Sequence, residues 1–321
     1  MHPRLRLLLL PVVLVLFAGA GAPRVLADDT AKTVPPKTVR VLTVGNSFSR
    51  NAVKHLGDLV KASGHTLVLG ELIIGGASFE VHWTKWLKAE KDPKDPAGLY
   101  TFKRNLKQWL TVEPWDFVTI QQASIKSHDV TTYRPFAAQL HGFIKQHAPG
   151  AGVLLHQTWA YRVDDPRFSV KSPKPGEPKT QLEMHEGLTR AYATIAQELK
   201  VRRIPVGDAF HLADTDAQWG FKPDTTFDPK TARPPALPDQ KHSLHLGWQW
   251  KKQKDGSTKL QMDGHHANLA GEYLGACVWL EVLFGQSAVG NTFVPEGLDA
   301  AHARFLQETA HRAVTEAQSR S

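Results

Sequence analysis

Short, almost wholly apolar runs alternate along the chain with longer stretches whose apolar residues recur every three or four positions. The runs Arg40–Val44, Thr66–Ile73, Phe117–Gln121, Gly152–His156 and Arg203–Val206 read as strands. Between them, Asn51–Ala62, Tyr100–Leu110, Arg134–His147 and Gln181–Leu199 read as helices, the last from Leu182, Leu188, Tyr192, Ile195 and Leu199. A final helical pair, His266–Phe284 and Asp299–Gln318, closes the chain. Strands with no polar face, alternating with amphipathic helices, predict an α/β fold with a parallel sheet covered on both sides. In such sheets ligands bind beyond the carboxyl ends of the strands. Ser47, Gly75-Gly76, Gln122 and His156 all fall at such ends.

Two segments break the alternation. Asp164–Lys179 is rich in Pro and Lys and reads as a surface loop. Residues 211–262 carry several prolines and no clear helix, but end in an alternating stretch that turns through Asp255-Gly256, a strong hairpin signal. This region reads as an insertion within one domain spanning 39–321, delivered just before Asp263 as a rim or lid over the strand ends. Residues 28–38 are a polar, proline-containing linker. Ahead of them, Arg4 and Arg6 precede an apolar run from Leu7 to Phe17, and Val25-Leu26-Ala27 offers small residues for cleavage. That pattern predicts a secretory signal peptide over 1–27 and export, to a periplasm or beyond, after cleavage near Ala27. No later stretch is long and apolar enough to span a bilayer, so no membrane attachment is expected afterwards.

Charge and cysteine usage narrow the classes. The net charge of +8 includes Arg4, Arg6 and Arg24; without them 36 basic residues face 31 acidic ones, a balance of +5. The excess is spread among Lys-containing loops, and nucleic-acid binding would need a clustered basic face. The single cysteine, Cys277, sits in an apolar helical stretch and reads as core. No internal disulfide is available, so the core itself must hold an exported chain together.

Four stretches offer chemistry. In Gly45-Asn46-Ser47-Phe48, Ser47 stands where a strand turns into a helix, as a helix cap or as a nucleophile near unpaired backbone N–H groups. In Ile74-Gly75-Gly76-Ala77-Ser78 the glycines either make a plain turn or let a backbone N–H approach an oxyanion. Gln121-Gln122 ends a strand, and Gln122, nearer the end, is the expected side-chain donor to an oxyanion. Asp263 and His266, three residues apart at the entrance to a helix, can meet as a carboxylate–imidazole pair. The other reading of that pair is an N-cap with exposed histidines, and His265 competes with His266. His156, Trp159 and Tyr161, with Arg162 beside them, suit contact with a sugar or carboxylate substrate; Asn46 and Ser124 are further candidates for substrate contact. Trp248 and Trp250 share a strand face, as an apolar platform or as a cover for the core. Neither His242-x-x-His245 nor His265-His266 makes a strong metal pattern, so no metal is expected.

Taken in order, Gly45-Asn46-Ser47, the glycine block, the third strand end and Asp263-Gly264-His265-His266 resemble the blocks of the SGNH (GDSL-type) hydrolase superfamily. The match spans nearly the whole mature chain and looks like a subgroup with Gly-Asn-Ser in place of Gly-Asp-Ser. The resemblance implies a three-layer α/β/α, flavodoxin-like sandwich around a mostly parallel five-stranded sheet. It implies Ser47 as nucleophile, His266 as general base, Asp263 as its orienter, and the Ser47 and Gly76 amides as oxyanion donors. It implies no cofactor. The third block departs from the family, because "QQASIKS" has no Gly-x-Asn-Asp, and its donor must come from Gln122 or Ser124 or be missing. The expectation is an exported serine esterase acting on a small-molecule or glycan ester, with carbohydrate O-acetyl groups foremost. A non-catalytic glycan-binding protein on the same fold, or a lipase or thioesterase, are the alternatives.

Overall fold

The apolar runs assemble into the expected sheet. In the computed structural model, which describes residues 35–172 and 174–319, they form β1 (Thr38–Gly45), β2 (Thr66–Ile73), β3 (Phe117–Ile120), β4 (Gly152–His156) and β5 (Arg202–Ile204). Their order is β2-β1-β3-β4-β5 and every pair is parallel, with Val41 opposite Phe117 and Phe117 opposite Gly152. Val41, Leu42, Thr43 and Val44 are all buried, as a strand covered on both faces requires. The reversal of direction from β2 back across β1 to β3 opens a crevice at the carboxyl end of β1.

Helices α1 (Ser47–Val53), α2 (Leu56–Ala62), α8 (Leu269–Phe284) and α9 (Ala300–Ser319) pack with one another, as do α3 (Phe79–Lys91), α4 (Leu106–Thr111), α5 (Phe136–His147) and α6 (Gln181–Leu199). Helix α8 is apolar apart from Glu272 and Glu281 and is buried from Ala270 to Phe284, because α9 and α7 (Val206–Asp214) cover the sides the sheet leaves. Cys277 lies within it, fully buried. The described residues from Pro36 onward form one unit. The expected signal peptide and most of the 28–38 linker lie outside the described residues. No helix among the described residues is long and apolar enough to cross a membrane.

Several boundaries differ from the sequence reading. The first helix breaks at Lys54-His55 into α1 and α2. The helix expected from Tyr100 starts only at Leu106, where Asn105 and Gln108 form a reciprocal capping box. Helix α3 went unread, although Phe79, His82, Trp86 and Ala89 are its buried stripe and Ser78 caps it. Helix α7 runs to Asp214, so residues 211–214 belong to the core layer rather than to an insertion. The hairpin is a separate two-stranded sheet, β6 (His245–Lys252) with β7 (Thr258–Ala267), turning near Gly256 at a φ of 84°. Asp263 and His266 lie on β7, not on a helix; α8 begins at Leu269, capped by Asn268.

Candidate active site

The end of β1 turns at Gly45, where a Cβ would run into the Ser49 hydroxyl and the Gln121 carbonyl oxygen, so only glycine fits. Asn46, not Ser47, is the N-cap of α1: its Oδ1 accepts from the Phe48 amide at 2.9 Å. Ser47 therefore occupies the first helical position, with its side chain directed to His266. Its Oγ lies 2.9 Å from His266 Nε2. On the other side of the ring, His266 Nδ1 lies 3.0 Å from Asp263 Oδ2 and 3.2 Å from Oδ1. The carboxylate must accept there, so Nδ1 carries the proton and Nε2 is left to accept from the serine hydroxyl.

A strand should not allow this pair, since residues three apart point to opposite faces. The register shows what permits it. Gly247 pairs with Asp263 and His245 with Ala267, so Leu246 alone stands opposite Gly264, His265 and His266. This bulge kinks β7 and brings Asp263 and His266 to one side. The segment is then clamped through its backbone: Gly264 O accepts from Arg162 N at 2.7 Å, His265 O from Trp159 Nε1 at 2.9 Å, and Ala267 N donates to Asn51 Oδ1 at 3.4 Å. Asn51 itself is held by Glu272, which also receives Lys54. Asn51, Arg162 and Glu272 were missed as supports of the site; only the folded hairpin shows what they hold.

Asp263 is partly buried, which pushes its carboxyl up. The His266 side chain and amide, with the charges of His265 and His266, more than offset this and hold it well below the usual carboxylate range. His265 also reaches Asp263, with Nδ1 3.2 Å from Oδ1, but it lies beside His266 rather than at Ser47. Burial lowers the His265 pKa, with Asp263 opposing. Among the described residues, Asp263, His265 and His266 are the group whose ligand atoms lie close enough to hold a cation. Both ring nitrogens of His266 are engaged by Asp263 and Ser47, an arrangement for moving a proton.

The second and third blocks meet the first through Asn46. Ala77 N donates to Ile74 O at 3.1 Å, closing a turn with Gly76 at a φ of 67° and with both glycines exposed. Asn46 Nδ2 donates to Ala77 O at 2.9 Å and pins that turn beside Ser47. Asn46 Oδ1 also accepts from Gln121 Nε2 at 2.6 Å, and Gln121 Oε1 accepts from Ser49 and, at 3.1 Å, from His156 Nδ1. His82 Nε2 donates to Gly45 O at 3.1 Å beneath the turn. Ser47 thus rests on a buried polar network.

These contacts correct the expected roles of several residues. Gln122 is not an oxyanion donor: it is fully buried, its Nε2 donates to Thr132 O at 2.8 Å, and its Oε1 accepts from Ala123 N. Asn46, His156 and Trp159 do not face substrate, because all three are buried within the fold. Trp159 stacks on Phe210 at 4.4 Å. Arg162 is buried against Asp164, Gln240 and Ser243. Ser124 and Tyr161 bond to each other, Oγ to OH at 2.9 Å, and are mostly covered, though Tyr161 still lines a cavity. Trp250 donates to Ala236 O and Trp248 lines a crevice with Phe221 and Pro238, so the pair covers the 215–244 loop rather than forming a platform.

Residues 40–171 match the model of a domain of unknown function, DUF4886. A crystal structure of a DUF4886 family protein from Bacteroides uniformis is 25% identical, with a TM-score of 0.64 over 87% of this chain and 95% of that one. A candidate SGNH hydrolase from Slackia heliotrinireducens is 21% identical (TM-score 0.45; 76% of this chain, 98% of that one). A candidate GDSL-like lipase from Parabacteroides merdae is 12% identical (TM-score 0.44; 78% and 98%). No curated protein matches the chain. The resemblance read from the four blocks holds at the level of the fold: by sheet order, block order and the placing of Ser47, Asp263 and His266, the chain has the architecture of the SGNH (GDSL-type) hydrolases.

Proposed function

We propose that the protein is an exported serine hydrolase of carboxylic esters, with Ser47, His266 and Asp263 as its catalytic triad. The observation that carries the reading is the run of contacts from Ser47 Oγ through both nitrogens of His266 to Asp263. His266 Nε2 takes the hydroxyl proton as Oγ attacks the ester carbonyl, and Asp263 stabilises the imidazolium that forms. The tetrahedral intermediate collapses, the C–O bond to the alcohol breaks, and His266 returns the proton to the departing oxygen. Water, deprotonated by the same nitrogen, then attacks the acyl-serine, releases the acid and restores Ser47.

The developing oxyanion is assigned to two backbone donors, the amides of Ser47 and Gly76. Ser47 N lies in the first turn of α1, where helical geometry supplies no acceptor. Gly76 lies on the exposed turn that Asn46 holds against the nucleophile. With the amides of Gln121 and Gln122 committed elsewhere, one side-chain donor is missing, which costs about 10²–10³ in kcat. Export rests on the sequence of residues 1–27. The sugar-directed expectation loses its side-chain support, since Trp159 and Arg162 act as clamps. The test is hydrolysis of simple acetyl esters such as 4-nitrophenyl acetate by purified protein. Turnover that disappears in Ser47→Ala supports the reading, and turnover retained in that variant refutes it.

A further inference from the structure

A cavity of about 450 Å³ has no triad residue in its lining and is linked to His266 through Tyr161 and His265. Its walls include Ile125, Tyr161, Phe168, Val170 and Met184, with Arg167 among them. Ile125 and Val170 keep about half their surface exposed, at 52% and 53%, which is costly for branched apolar side chains unless something covers them. Tyr161 connects the cavity to the site: its ring meets the His265 ring edge-on at 5.6 Å, and His265 in turn lies 4.2 Å from the His266 ring. The opposite handle is the Arg167 guanidinium, 4.6 Å from the centre of the Tyr161 ring.

Three features define what fits. The volume is that of sites for ligands of many heavy atoms, far beyond an acetyl group. The walls are aliphatic and aromatic, which favours a flat apolar body. The polar groups are cationic on balance: among the described residues neither Arg167 nor Lys174 has a carboxylate within 4 Å, whereas Glu177 faces His128 at 4.0 Å. The Arg167 guanidinium also hydrogen-bonds to Tyr161, and its remaining N–H groups can meet a carboxylate. His128, also in the wall, has a buried Nδ1 with no partner among the described residues.

We infer that this cavity receives the non-reacting part of the ester substrate and selects a planar apolar group that carries a carboxylate, held by Arg167. The inference rests on the ester-hydrolase reading for its reaction but not for its binding. A probe pair separates the two: 6-acetoxy-2-naphthoate and the neutral 2-naphthyl acetate, each hydrolysed by water to acetate and the fluorescent naphthol. The native protein should prefer the carboxylate ester by about tenfold in kcat/KM, the worth of one charge-assisted hydrogen bond. Arg167→Ala should bring that ratio near one, and Arg167→Glu or Val170→Asp should reverse it. Equal ratios in all four proteins would overturn the inference.

Binding is read independently in Ser47→Ala, by titrating 6-hydroxy-2-naphthoate and following its fluorescence. Saturable binding that Arg167→Glu weakens at least tenfold supports the inference even if no ester is turned over. No binding, in a protein whose Ser47 still reacts with a fluorophosphonate before substitution, overturns the inference alone. Binding without any such reactivity overturns the hydrolase reading alone.

Discussion

The two halves of the candidate triad are built by different means. Ser47 stands at the end of the central strand β1, above the buried Asn46–Gln121–Ser49–His156 network. Asp263 and His266 stand on a bulged hairpin strand outside that sheet, held by single hydrogen bonds from Arg162 and Trp159 and one to Asn51. Ser47 is placed by the core, and disturbing that core should cost stability. His266 is placed by clamps, and disturbing them should cost rate first.

The largest expected effects fall on the three chemical groups. Ser47→Ala and His266→Ala should each lower kcat/KM by about 10⁴-fold or more. Asp263→Asn should cost about 10³–10⁴, because an amide no longer fixes the His266 tautomer. Melting temperatures of Ser47→Ala and His266→Ala should stay close to the native value, whereas Asp263→Asn should lower it, because the folded state holds that carboxyl well below its usual range.

The next pair sets the halves against each other. Asn46→Ala leaves Ala77 O, the Phe48 amide and the Gln121 amide without their buried partner, at roughly 1–3 kcal/mol for each group left unpaired. Denaturant unfolding should show a loss of about 3 kcal/mol. Asn51→Ala, on the clamp side, should cost only about 1 kcal/mol yet lower kcat about tenfold by freeing Ala267. Equal stability losses in the two variants would erase the distinction.

Acid should find both halves. Burial lowers His82 to about 4 and His156 to about 3 beneath the nucleophile, and His245 to about 3 on the hairpin. The unfolded chain binds these protons near pH 6.5, so stability is complete above that pH. It falls as pH drops toward 3–4, by about 1.4 kcal/mol per group per pH unit. Asp214, raised to about 7 by burial, works the other way: it adds stability as pH falls from 7 toward 3.8, one group against these three and His185 and His302, each also lowered to about 4. Melting temperature should therefore drop steeply between pH 6 and pH 4. The smallest effect belongs to the hairpin tip, where Gly256→Ala strains a φ of 84° at a cost of about 1 kcal/mol, with activity unchanged.

The same division decides what could be read from the chain. The parallel sheet was legible because Val41–Val44 and Leu154–Leu155 are apolar on both faces, which leaves few other folds open. Ser47, Gly76 and the Asp263–His266 pair were legible as blocks in the right order. Their supports were not. The i,i+3 spacing of Asp263 and His266 suggests a helix, and nothing local announces a bulge that depends on the partner strand's register at His245 and Gly247. Gln122 looked like a donor because it ends a strand; its amide is consumed by Thr132, ten residues away along the chain. Trp159 and Arg162 looked like substrate contacts because of their chemistry, whereas their partners, His265 and Gly264, lie about a hundred residues further on.

The central claim is that Ser47 is activated by His266, and intact-mass labelling with a fluorophosphonate tests it most directly. One adduct, mapped to Ser47 and absent from both Ser47→Ala and His266→Ala, is the result the geometry predicts. A folded native protein that takes no adduct, or one that keeps its adduct in Ser47→Ala, would contradict it.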